Sequence, residues 1–207
     1  MARTARLVIP GMAHHVLHRC CPGREAFSAE RHYESYVDLV SKRFREEGVT
    51  ILAYCLMPDH VHYLLQPSTA AGLAKSTGET HRCYANVYNA REGRHGDLWA
   101  GRFCSCPVST RWLLPVANFI ELNPTRSGLC KDPRDWPWSS AEPHVNGEDD
   151  LLVTVEPLRA LTADWSLLLR ETLPASEIEE IRSHTKSGRP LGKLAAQDPT
   201  VVTTQSE

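Results

Sequence analysis

At 207 residues, 42% of them hydrophobic, the chain can bury one good core with a small appendage, and it has no apolar run of about 18 residues that would make a membrane-spanning helix. Its net charge of −2 hides an asymmetry: residues 1–140 carry 17 Lys and Arg against 13 Asp and Glu, residues 141–207 carry 6 against 12, so the front part is the one compatible with a phosphate-rich partner. Residues 1–7 lack the apolar core of a secretory signal, and seven cysteines without a regular framework fit a reducing cytoplasm better than an oxidising compartment.

After the Pro10-Gly11 turn, residues 13–19 read as a first strand. It holds His14, His15 and His18, with 14 and 18 on one face and 15 on the other. These are expected at the surface or in support of a site, not as ligands. From about 29 to 47, Tyr33, Tyr36, Val37, Val40 and Phe44 recur at three- and four-residue spacing and predict an amphipathic helix stopped by Gly48. Residues 49–57, apolar and partly β-branched, predict a buried strand. A Pro58-Asp59 turn leads to another strand at 60–66, where His60 and His62 project from one face with Val61 and Leu64 expected to pack behind them. Two imidazoles on a rigid strand are a good start for a divalent metal site, although a polar sheet face that happens to hold two histidines is the commoner meaning of His-x-His alone.

Residues 69–92, with Leu73, Tyr84, Val87 and Tyr88, predict a second long helix ended by Gly93. The loop from Arg91 to Phe103 is rich in glycine and arginine. Arg91, Arg94 and Arg102 suit phosphates and Trp99 suits base stacking, while an ordinary loop with Trp99 and Phe103 tucked into the core is an equal alternative. A strand at 103–108 completes the order β-α-β-β-α-β. The predicted class is α+β, a ferredoxin-like antiparallel sheet with helices on one face and the other open for a site. Cys20-Cys21 and Cys104-x-Cys106 lack the spacing of a zinc knuckle.

Thr110 is then expected to cap a helix to about Leu122, with Pro115 near its first turns and Asn123-Pro124 at its end. Residues 135–140 form a rigid aromatic segment, and 142–150 read as an acidic linker. Ser176-Glu177-Ile178-Glu179 has the capping-box pattern of a helix ending near Gly188, and the last dozen residues look disordered. This divides the chain into a domain over 1–140 and a small helical C-terminal extension over 141–207.

Four stretches in register carry a resemblance: residues 57–62 (Met-Pro-Asp-His-Val-His), 98–103 (Leu-Trp-Ala-Gly-Arg-Phe), 120–129 (Ile-Glu-Leu-Asn-Pro-Thr-Arg-Ser-Gly-Leu) and 136–140 (Trp-Pro-Trp-Ser-Ser). Together they resemble the REP-associated tyrosine transposases, single-tyrosine relatives within the HUH endonuclease superfamily. The resemblance covers about residues 1–140, and the Gly-Arg-Pro-Leu-Gly turn at 188–192 is similar to a tail in longer members. It implies a domain acting on structured single-stranded DNA such as hairpins, as monomer or homodimer. It also implies Mg²⁺ or Mn²⁺ on His60, His62 and Asn123, and a tyrosine one helical turn before the asparagine that attacks a backbone phosphorus. In this chain that nucleophile position is Phe119, which has the ring and lacks the oxygen.

Three functions remain open on the sequence. The first is metal-assisted cleavage and joining of hairpin DNA, with Tyr84 or Tyr88 as substitute nucleophiles in principle. The second is DNA binding without cleavage. The third is a metal-dependent hydrolase unrelated to DNA, using His60, His62 and a carboxylate such as Asp59 or Glu121.

Overall fold

The computed structural model describes residues 6–194; residues 1–5 and 195–207, including the tail expected to be disordered, lie outside the described residues. The first six elements follow the predicted order: β1 (His14–Arg19), α1 (Glu30–Glu46), β2 (Val49–Met57), β3 (His60–Pro67), α2 (Gly72–Glu92) and β4 (Cys104–Pro107). The strands make one antiparallel sheet in the order β2-β3-β1-β4, the ferredoxin-like arrangement.

Period-two alternation splits the core between the two sheet faces. On one face Val16, Tyr54, Leu56, Val61, Tyr63 and Leu65 pack against α1 and α2, whose Tyr33, Tyr36, Val40, Phe44, Leu73, Tyr84 and Tyr88 are buried. Both helices end where glycine permits a positive φ, at Gly48 (62°) and Gly93 (60°). On the other face lie Ala13, Leu52, Ala53, Cys55, Met57, Leu64, Cys106 and Val108. A bulge between Ile51 and Ala53 turns both Leu52 and Ala53 to this side.

The second face, expected open, is covered. α3 (Leu113–Glu121) lays Leu113, Val116, Ala117 and Ile120 on it. Leu158, Trp165, Leu169, Ile181 and Leu191 of the C-terminal part extend the same layer. The remaining helices are α4 (Asn123–Arg126), α5 (Ala141–Asn146), α6 (Glu156–Arg159), α7 (Trp165–Leu168) and α8 (Ala175–Ser187). Residues 142–150 are therefore not a plain linker, since α5 occupies their first half. The segment is also bound to the sheet: Tyr54 donates to Asp150 at 2.6 Å and Thr154 N–H to Ile51 O at 2.9 Å.

Both sheet edges are finished by this later chain. Beside β2, Leu56 N–H donates to Trp138 O and Ser140 N–H to Tyr54 O; beside β4, Leu191 N–H donates to Pro107 O and Ser109 N–H to Leu191 O. Pairing these edge groups removes a template for aggregation, which ties residues 138–191 to the sheet in a way no local pattern reveals. The aromatic segment packs as expected, Trp138 stacking on Tyr33 at 4.5 Å and Trp136 Nε1 donating to Leu56 O.

Two helix starts differ from expectation. Thr110 opens a single 3-10 turn (Thr110–Trp112), and α3 begins after it. Pro115 thus sits in the first turn of α3, where its missing N–H costs nothing. α8 begins at Ala175 behind Pro174, so Ser176 lies inside the helix and makes no cap.

Candidate functional site

The β2–β3 turn is held from outside: Ala26 and Phe27 N–H donate to Pro58 O, and Cys20 N–H donates to Asp59 O. It delivers His60 opposite Met57 and Arg19, and His62 opposite Cys55 and Leu17. The two imidazoles share one face, ring centroids 5.1 Å apart and planes at 84°. Leu64 shares that face rather than backing it, as i+2 positions must. Val61, Tyr63 and Leu65 pack behind.

Donor and acceptor roles in the pair are set by their partners. His60 Nδ1 lies 2.6 Å from Asp59 Oδ1, so Nδ1 carries the proton and Nε2 keeps a lone pair. That Nε2 is 2.9 Å from Asn123 Nδ2. Nitrogen and oxygen of a side-chain amide exchange by a half-turn, so the same contact can present Asn123 Oδ1 beside Nε2 as a second donor. His62 Nδ1 lies 2.9 Å from His15 Nε2, which leaves its own Nε2 as the remaining ligand atom. Burial lowers the pKa of His60, and burial with His15 and His60 nearby lowers that of His62 well below the usual value. Both rings are therefore neutral and ligand-ready at pH 7.

Among the described residues no three His, Cys, Asp or Glu side chains converge as a ready metal cage. His60, His62 and the Asn123 amide fit a more open arrangement. Two imidazoles and one amide oxygen suit a hard cation that keeps further positions for water or phosphate oxygens.

Phe119 is brought to the same place. Its ring is 4% exposed and stands edge-on to His62 (5.6 Å) and His15 (5.9 Å). α3 stops after Glu121 because Pro124 cannot continue the ladder, and α4 restarts at Asn123. Arg126 spans the break: its guanidinium donates to Phe119 O and lies 4.5 Å over the Phe119 ring. Tyr84 is committed elsewhere, 1% exposed with its hydroxyl donating to Ala26 O at 2.6 Å. Tyr88 instead lines a cleft of about 610 Å³ together with Asp59, His60, Arg24, Arg94 and Ser127. Glu121 is turned away: Oε1 accepts from Ser140 (2.5 Å) and His144 (2.6 Å), and Oε2 from Trp165 Nε1 (2.8 Å).

The basic loop does not act as a unit. Arg94 lines the cleft beside His60. Arg102 is exposed on a second groove of about 710 Å³, shared with Arg6, Lys186 and Arg189 and free of carboxylates in its lining. Arg91 is exposed and donates to Ser35 Oγ at 2.7 Å. Trp99, expected as a possible stacking group, is 7% exposed, stacked on His18 at 4.9 Å, with its Nε1 donating to His81 O.

The three N-terminal histidines are all buried, not at the surface. His14 clips the chain, its Nδ1–H donating to Met12 O while Nε2 accepts from Ile9 N–H. His18 belongs to a buried chain in which Tyr63 donates to Tyr36, Tyr36 meets His81 Nε2 at 2.7 Å, His81 Nδ1 meets His18 Nδ1 at 2.6 Å, and His18 Nε2 donates to Gly101 O. Only His15 reaches the candidate site. The sequence set residue 15 on the opposite strand face from 14 and 18, the register with β3 makes that the His60/His62 face, and Arg126 had no signal beyond its place in the quoted 120–129 stretch.

A family model described as Transposase IS200 like matches residues 9–123. Over 108 residues the chain is 27% identical to a Haemophilus influenzae protein assigned to the REP-associated tyrosine transposases; the match spans 47% of this chain and 61% of that protein, under two thirds of its length. The chain is also similar to the solved structure of the REP-associated tyrosine transposase bound to a REP hairpin, with a TM-score of 0.58 at 20% identity over 74% of this chain and 92% of the other. At that identity the likeness is one of fold.

Proposed function

Because the chain belongs to the IS200-like transposase family, we propose that it binds hairpin-forming single-stranded DNA at the cleft beside His60, holds a divalent cation with His60, His62 and Asn123, and forms no covalent link to the strand. The observation that carries this reading is Phe119, whose ring lies against the metal-ligand candidate His62 at the position where the family resemblance calls for a tyrosine. Hairpin DNA as the ligand class is supported by the solved relative, which is bound to a REP hairpin.

A bound Mg²⁺ or Mn²⁺ would polarise a phosphate oxygen and offset charge developing on it. Asp59 fixes the His60 ring, Asn123 shares its Nε2, and Arg94 and Arg24 supply countercharge on the cleft wall. Without a hydroxyl at residue 119, these groups bind and polarise a strand that no oxygen at that position can attack. The hydrolase reading loses Glu121, whose two oxygens are engaged by Ser140, His144 and Trp165, and is left with Asp59, which is hydrogen-bonded to His60. Among the described residues no helix is long and apolar enough to cross a membrane. We assign the protein to the cytoplasm on the sequence reading that seven cysteines without a regular framework suit a reducing compartment.

One observation favours a second reading. Tyr88 lines the same cleft as His60 and carries the hydroxyl that Phe119 lacks. A hairpin oligonucleotide nicked so that cleavage is irreversible decides between them. The native chain with Mn²⁺ should retain the hairpin in a native gel and leave no adduct after denaturation. An adduct that vanishes in Tyr88→Phe would move the nucleophile to α2 and overturn the cleavage-deficient reading. Failure to bind any hairpin at low salt would overturn the DNA reading itself.

A further inference from the structure

α8 lies beyond the residues that match the family model, yet it reaches the metal-ligand candidates through one hydroxyl. Thr185 Oγ1 is 2.7 Å from Ile181 O and 2.6 Å from His15 Nδ1. A carbonyl oxygen can only accept, so the single Thr185 proton goes to Ile181 O. The hydroxyl oxygen must then accept from His15, which places the His15 proton on Nδ1. Were the hydroxyl to donate to His15 instead, two acceptor oxygens would face each other at 2.7 Å without a proton between them.

The consequence runs one ring further. With its proton on Nδ1, neutral His15 offers a lone pair at Nε2, 2.9 Å from His62 Nδ1. His62 must then carry its own proton on Nδ1, and its Nε2 is left unprotonated. Every atom in the chain is buried: Thr185 is 1% exposed, His15 1% and His62 3%, so no water substitutes for a missing partner at little cost. The His15 and His62 ring planes lie within 10° of each other with centroids 5.1 Å apart, so the two imidazoles meet edge to edge in the plane of the hydrogen bond, which fixes the ring orientation along with the tautomer.

We propose that Thr185, acting through His15, is a positioning residue that holds His62 in the Nδ1–H tautomer and leaves its Nε2 free to take a divalent cation. The C-terminal helix is then a working part of the site. A tautomer pinned by an outer partner is a general device of histidine metal sites, and loss of such a partner typically weakens metal binding about 10–100-fold. The inference rests on the metal reading given above, and its test separates the two.

Long-range ¹H–¹⁵N spectra of the metal-free native chain report the tautomer of each imidazole directly. His15 and His62 should both show Nδ1–H. His62 as Nε2–H in the native chain would overturn the proposal with no variant needed. In Thr185→Val, which keeps the shape and removes the acceptor, His62 should become a mixture of tautomers and Mn²⁺ binding by calorimetry should weaken about 10–100-fold. Thr185→Ser should restore both. A folded Thr185→Val with native His62 signals and a native Mn²⁺ isotherm would equally overturn it. Native tautomers that are lost in Thr185→Val support the relay even if the native chain gives no Mn²⁺ isotherm; in that case the metal reading alone fails.

Discussion

Phe119 stands edge-on to His62, ring centroids 5.6 Å apart and planes at 90°. The position where the family resemblance calls for a nucleophilic tyrosine thus holds a phenyl ring beside the proposed ligand His62, without the oxygen. Phe119→Tyr adds that oxygen. The variant should form a covalent adduct with hairpin DNA in Mn²⁺, visible after denaturation, where the native chain forms none. Recovery is expected to be partial, because misplacement by about 1 Å can cost on the order of a hundredfold. A folded, DNA-binding Phe119→Tyr that gives no adduct would sink the assignment of residue 119.

His60→Ala/His62→Ala should abolish the Mn²⁺ isotherm, and native Mg²⁺ binding should be weaker than Mn²⁺ because imidazole suits Mn²⁺ better. Asn123→Asp, which supplies a carboxylate beside His60 Nε2, should bind Mn²⁺ more tightly than Asn123→Ala. Equal affinities in the two variants would remove Asn123 from the donor set.

Arg94 and Arg102 lie on different grooves, so their contributions to DNA binding should be separable. Each lost phosphate contact to a single strand should lower the salt slope by about 0.7. Trp99 gives the contrast. Trp99→Ala should destabilise by roughly 3–5 kcal/mol, as for a large buried aromatic, while Trp99→Phe should keep hairpin affinity. A loss of affinity in a stable Trp99→Phe would return the indole to the DNA interface.

Burial lowers the pKa of His14 to about 4 and that of His18 to about 4, against an ordinary value of 6.5. Each is neutral when folded and protonates near 6.5 when unfolded. Their stabilising effect is therefore complete above pH 6.5 and declines as pH falls from 6.5 towards 4. At pH 5 the loss is on the order of 2 kcal/mol for each histidine, enough together to lower Tm by roughly 10 °C. Identical melts at pH 7 and pH 5 would contradict this.

Glu121 holds α5 and α7 at once, through Ser140 and His144 at the first and Trp165 at the second. Glu121→Ala should cost about 3–5 kcal/mol, because it strands buried polar partners. Tm should fall while Mn²⁺ affinity per folded molecule stays within a fewfold. A stable variant that has lost Mn²⁺ binding would place Glu121 at the metal instead.

The four strands, the two crossover helices and the placing of His60 beside His62 are legible in the residue pattern alone. Each of these rests on local periodicity: alternation puts residues 60 and 62 on one face, three- and four-residue spacing makes α1 and α2, and glycine ends both. The 120–129 stretch likewise carried Asn123, and with it the position one helical turn earlier, Phe119. Contacts between distant segments carry no such local mark. Trp99 reads the same in sequence whether it stacks on a base or on His18, and only packing assigns it to the core. Residues 142–150 read as a linker because their polarity is local, whereas the hydrogen bonds that bind this region to β2 come from across the fold. The partner of His15 lies 170 residues away in α8. No periodicity in the chain encodes that pairing, because a single buried hydroxyl selects a tautomer only once the helix carrying it has closed the second face of the sheet.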